Sequence, residues 1–187
     1  MIIEIFKYFA RFPSKRGLQA MATLGQSAFA QYTDLLQFLQ QLPDQPVLPE
    51  IDHYVYAQSA DELQALLLKL SGTFLMVDYG EITFSQARAR TLDATQRIAV
   101  TVARKVSDRT DALERLIVNQ TTLDLLSAIY HCLMMDADHD LLPWASRDHL
   151  VEAEFVPFVA TELGATGWTM MLDVTATDPT SLHNASI

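Results

Sequence analysis

Between Arg97 and Thr175 the hydrophobic period of the chain changes from two to 3.6 and back to two, and few architectures satisfy that order. Arg97–Val106 sets Ile98, Val100, Val102 and Val106 against Arg97, Thr101 and Lys105. A helix is then predicted from Asp111 to about Asp136. Val151–Phe155 alternates again, with Val151, Ala153 and Phe155 against Glu152 and Glu154, and so does Trp168–Val174. Side chains of a strand point to opposite faces in turn, whereas those of a helix recur every three or four residues. The stretch therefore predicts strand, long helix, strand, strand: a sheet covered by an amphipathic helix.

The preceding elements are less regular. Gly17–Leu42 is predicted as a helix, with Leu24, Ala28, Tyr32, Leu35, Leu36 and Leu39 near helical spacing and Gly25 weakening it. Pro43, Pro46 and Pro49 punctuate an extended linker, because proline restricts both itself and the residue before it. His53–Ala57 is a short strand candidate. Ser59 and Glu62 have capping-box spacing at the head of a helix that runs through Leu70 to Gly72. Thr73–Val77 is a continuous apolar run, the mark of a buried strand, and Asp78–Glu81 is expected to be a bend or a bulge before Ile82 and Phe84. Arg88–Thr95 is polar and is expected to be a flexible connection between neighbouring strands. In the long helix, Leu113, Leu116, Ile117, Leu123, Leu126, Ile129, Tyr130 and Leu133 form a stripe wide enough to cover a sheet. Leu141–Asp148 reads as a loop, and Pro157 is expected to interrupt the next strand after Phe155, implying an edge, a bulge or a strand end, since it has no N–H for the ladder. The chain divides into an N-terminal helical segment (1–45), a core domain (50–176) and a flexible tail (177–187). The predicted class is α+β, a mostly antiparallel sheet flanked by two or three helices, with an extra N-terminal helical segment.

Composition narrows the function classes. At 187 residues, 50% hydrophobic and 19% charged, the chain suits one ordered domain that needs no metal or disulfide to fold. A net charge of −10 with 13 scattered Lys and Arg argues against direct, sequence-specific nucleic-acid binding. Lys7, Arg11, Lys15 and Arg16 make the one local basic group, which reads as a solvated terminal segment or a contact for an acidic partner. The lone Cys132 sits among apolar helical neighbours and reads as an inert thiol. Charges interrupt the apolar N-terminus, and no apolar run approaches a membrane span, so a soluble cytoplasmic location is expected.

No Gly-x-Ser-x-Gly, Walker loop, Gly-x-Gly-x-x-Gly, His-Glu-x-x-His or Cys-x-x-Cys is present. The densest group of candidate ligands is Asp136, Asp138, His139 and Asp140. It imitates the start of an EF-hand loop, but Leu141 stands where glycine is needed and Arg147 where the bidentate glutamate belongs. His131 and His139 with Asp136 or Asp140 could frame a divalent site, and Asp136, His139 and His149 could frame the site of a small α/β enzyme or a metal- or ligand-binding protein. An acidic, solvated helix end explains the same residues. Glu152, Glu154 and Asp173 alternate on two strands and could share a face as paired carboxylates, as surface charge, or as the lining of a ring. His53 and His149 read as ordinary strand-end and loop histidines. Trp144, Trp168, Phe155 and Phe158 read as core and edge packing rather than a base-stacking surface. No catalytic, cofactor-binding or metal-ligating residue is assigned.

The order of elements, together with Ser59–Leu70 leading into Thr73–Gly80, Gln96–Ala103, Glu154–Phe158 and Gly167–Val174, resembles tail-terminator and related minor tail (tail-completion) proteins of tailed bacteriophages. The resemblance covers about residues 50–176; the N-terminal helical segment lies outside it. It implies a non-enzymatic structural protein of a phage or prophage that self-associates into a ring-like homo-oligomer and docks to tail-tube or neck proteins. It also implies a location in the host cytoplasm and the virion, no cofactor and no membrane. The basic N-terminal segment or the Gly17–Leu42 helix would then reach the next subunit.

Overall fold

The computed structural model describes residues 2–19, 27–55, 71–88, 91–107 and 111–175, with side chains for all of these except 19, 85–88, 91–93 and 175. The predicted helix at 59–70 and the tail at 177–187 lie outside the described residues.

The strands are β1 (His53–Val55), β2 (Thr73–Asp78), β3 (Ile82–Arg88), β4 (Thr91–Lys105), β5 (Glu154–Ala160) and β6 (Ala165–Thr175). They form one mixed sheet in the order β1-β2-β4-β6-β5. β1 runs parallel to β2, and every other pairing is antiparallel. Five helices among the described residues accompany the sheet: α1 (Ile2–Phe9), α2 (Lys15–Gln19), α3 (Ala30–Gln41), α4 (Ala112–Asp138) and α5 (Arg147–Val151). The α+β class expected from the sequence is the class observed.

β4 is the axis of the sheet. One edge pairs with β6 from Thr95 to Lys105. The other edge is shared: β2 takes Ala99–Arg104 and β3 takes Thr91–Gln96. The chain passes from β2 to β3 through the bend expected at Asp78–Glu81. There Gly80 has φ +52°, and a Cβ on it would stand 2.1 Å from the carbonyl oxygen of Arg97. The polar stretch expected to be a flexible connection is therefore mostly strand. Thr91–Thr95 belongs to β4, because its backbone finds partners in β3 whatever its side chains.

Period two puts Leu75, Val77, Ile98, Val100, Val102, Met170 and Leu172 on one face, each at most 1% exposed. α4 lies across this face and contributes Leu125, Leu126, Ile129 and Leu133. Asp111 starts the helix by accepting from the N–H groups of Leu113 (2.8 Å) and Glu114 (3.1 Å). Midway, the Trp168 indole donates to the Asn119 carbonyl (3.1 Å) and Thr166 Oγ1 to Asn119 Oδ1 (2.8 Å), fixing α4 over β6. Burying a side chain such as Ile98 or Leu126 contributes about 1.5–3 kcal/mol. Packing of this face, rather than helix propensity, sets the position of α4. A smaller cluster of Val55, Phe74, Ala103 and Ala165 occupies part of the opposite face.

The N-terminal segment is not separate from this core. Ile5, Phe9, Ala10, Phe12 and Leu18 are at most 3% exposed and belong to the same cluster as Ile98 and Leu126. The segment is apolar on the side that the basic residues leave free, so it is core and not a solvated terminus. The basic group has partners within the chain: Lys7 pairs with Glu4, Arg11 with Asp136, and Lys15 with Asp44. Lys15 Nζ also donates to the carbonyls of Gln40 and Leu42, both at 3.0 Å, closing the C-terminal end of α3. The helix predicted over Gly17–Leu42 is broken: α2 ends at Gln19, Ser27–Phe29 is not helical, and α3 begins at Ala30. Residues 20–26 lie outside the described residues.

Two expectations about the C-terminal half also change. Val151 ends helix α5 and Ala153 is irregular, so the first alternating stretch becomes strand only from Glu154. Leu150, fully buried, holds that turn down while Val151 points outward. Pro157 does not interrupt the strand. It lies in register opposite Trp168 with no bulge, on the edge strand β5, one of the environments its missing N–H allows.

Candidate interaction surfaces

The acidic cluster at the end of α4 is taken apart by the fold, Asp136 and Asp138 turning to different partners. Asp136 points towards α1, where the Tyr8 hydroxyl donates to Asp136 Oδ2 at 2.8 Å and Arg11 forms an ion pair with the same oxygen. The Arg11 guanidinium also lies 4.1 Å from the centre of the Tyr8 ring and 5.0 Å from that of Phe12, a cation–π arrangement. Burial pushes the Tyr8 phenol far above its ordinary range, so it stays a proton donor to Asp136. Asp138 pairs with Arg147. His139 is the C-cap residue of α4, and Asp140 follows at φ +55°.

His149 belongs to the start of α5. Its Nδ1 lies 2.8 Å from Ser146 Oγ and accepts the Ser146 N–H at 3.2 Å, which makes it the reciprocal partner in a capping box. Asp136, His139 and His149 thus do three separate structural jobs and do not converge. The depression beside them, about 510 Å³ and lined by Asp140, Pro143, Trp144, Arg147 and His149, is wide open. Among the described residues, no group of three His, Cys, Asp or Glu is placed to hold a metal ion. Cys132 is half-buried, and burial pushes its thiol up, away from the reactive thiolate. His53 Nε2 donates to the Ser71 carbonyl (2.9 Å), an ordinary strand-end role.

Glu154 and Asp173 do share a face, the one opposite α4. Glu154 is paired with Met171, two residues from Asp173 on the adjacent strand. Glu152 is not with them, because it caps the end of α5. Arg97 of β4 stands directly across from Asp173 and binds it through two parallel contacts of 2.9 Å. The hydrogen bond from Arg97 holds the Asp173 carboxyl below the usual carboxylate range, against a smaller opposing effect of burial. With Asp78 and Glu81 at the bend, these residues line an open concavity of about 450 Å³. An ion-paired carboxylate with a depressed pKa is a poor general acid, so this arrangement does not suit paired-carboxylate catalysis.

The outward surfaces that stand apart are apolar. The buried positions of α4 run Val118, Thr122, Leu125, Leu126, Ile129, Leu133 and Ala137. At 100° per residue Leu113 falls on the far side of the helix from that stripe, with Leu116 and Ile117 to either side of it. Their exposures are 71%, 66% and 65%. The first turns of α4 therefore carry apolar side chains outside as well as inside, with Glu114, Arg115 and Gln120 between them. A groove of about 420 Å³ runs between Leu113, Ile117 and Arg104 of β4. On the edge strand, Val156 and Val159 are exposed, as is Val151 just before it. On β3, Ile82 and Phe84 are about half exposed.

Composition pooled Leu113, Leu116 and Ile117 with the core stripe, and only their angular phase separates them. Thr122 was passed over because it is polar, yet it is fully buried and returns its hydroxyl to the Val118 carbonyl at 2.8 Å.

No protein family, curated protein or solved structure gives a significant match to this chain.

Proposed function

We propose that this protein is a non-catalytic assembly subunit that associates with copies of itself. Its exposed apolar surfaces on α4 and β5 are the buried contacts of the assembled state. The observation that carries the reading is the outward face of Leu113, Leu116 and Ile117 on a helix that is otherwise firmly seated. Contiguous apolar surface of this kind marks a protein contact more often than a small-molecule site. The polar clusters that would serve an enzyme are instead engaged in caps and ion pairs.

Within that class, the resemblance of the element order to tail-terminator and minor tail proteins suggests a specific setting. There the subunit closes into a ring at the end of a phage or prophage tail tube, made in the host cytoplasm and retained in the virion. The N-terminal helices α1 and α2 brace the subunit from within. Of the N-terminal segment, α3 is left as the part that reaches a neighbour, since none of its residues is buried.

Negative-stain electron microscopy of the concentrated protein tests the reading. Closed particles of uniform diameter support it. A field of single small particles, together with turnover of any substrate, contradicts it.

A further inference from the structure

We draw no further inference here: the strongest candidate, the exposed apolar face of Leu113, Leu116 and Ile117 on the first turns of α4 with the groove beside it, carries nothing further because nothing in the structure shows what covers it.

Discussion

Arg11 and Asp136 meet across 125 residues of chain, and their ion pair ties the segment after α1 to the last turns of α4. Asp136 is 19% exposed and Arg11 34%, and the Tyr8 hydroxyl completes the set by donating to the same carboxylate. Among the described residues the buried Arg11 Nε has no acceptor, so the arginine depends on Asp136 and on its aromatic neighbours. Asp136→Asn should destabilise the fold by about 2 kcal/mol, because a half-buried guanidinium loses its counter-charge. Replacing both residues, Arg11→Met with Asp136→Leu, should cost less than the single change. Urea unfolding of the parent, single and double variants measures the difference; equal stability of parent and Asp136→Asn would show that the contact contributes nothing.

Gly17 fixes how closely α2 approaches β1. A Cβ there would stand 2.0 Å from the Asp52 carbonyl oxygen and 2.8 Å from the His53 Cα, both backbone atoms that cannot step aside. Asp52 is itself pinned, its carboxylate accepting the Thr73 N–H and its own N–H donating to the Thr73 carbonyl, each at 2.9 Å. Gly17→Ala should therefore cost about 1–3 kcal/mol. In a chain of this size that lowers the melting temperature by roughly 2–4 °C per kcal/mol. Calorimetry decides, and an unchanged melting temperature would mean that α2 has room to shift.

Asp173 makes stability depend on pH in a defined direction. Its carboxyl is held below the ordinary value of 3.8 by Arg97. The stabilisation is fully present above the unfolded carboxylate's pKa and is lost as pH falls through the lower, folded value. Both partners are about half exposed, so screening limits the effect to less than about 1 kcal/mol. Asp173→Asn should thus be slightly less stable than the parent at pH 6, and the two should converge in strong acid. A difference that grows as pH falls would reverse the assignment.

The parts of the fold legible in the sequence were those whose signal is local. Ile98, Val100 and Val102 announced β4 by alternation, and Asp111 announced the start of α4 because its cap is satisfied two and three residues on. Register and non-local burial were not legible. Thr91–Thr95 looked like a polar loop because its strand character comes from pairing with β3, which no local pattern encodes. Ile5 and Phe9 were hidden behind the charges of Lys7 and Arg11, whose partners lie next to them or on a distant helix. The apparent ligand cluster at Asp136–Asp140 was a matter of sequence proximity, since the backbone turns its members towards different neighbours. The exposed face of α4 was present in the sequence as Leu113, Leu116 and Ile117. Reading it needed the helical phase fixed by Leu126, Ile129 and Leu133 rather than a count of apolar residues.

Self-association is read from absolute mass, by light scattering after gel filtration over a wide concentration range. A self-associating subunit gives a species well above the monomer mass of 21.0 kDa that settles at one integral number of subunits as concentration rises. A mass that stays at the monomer value throughout would contradict it.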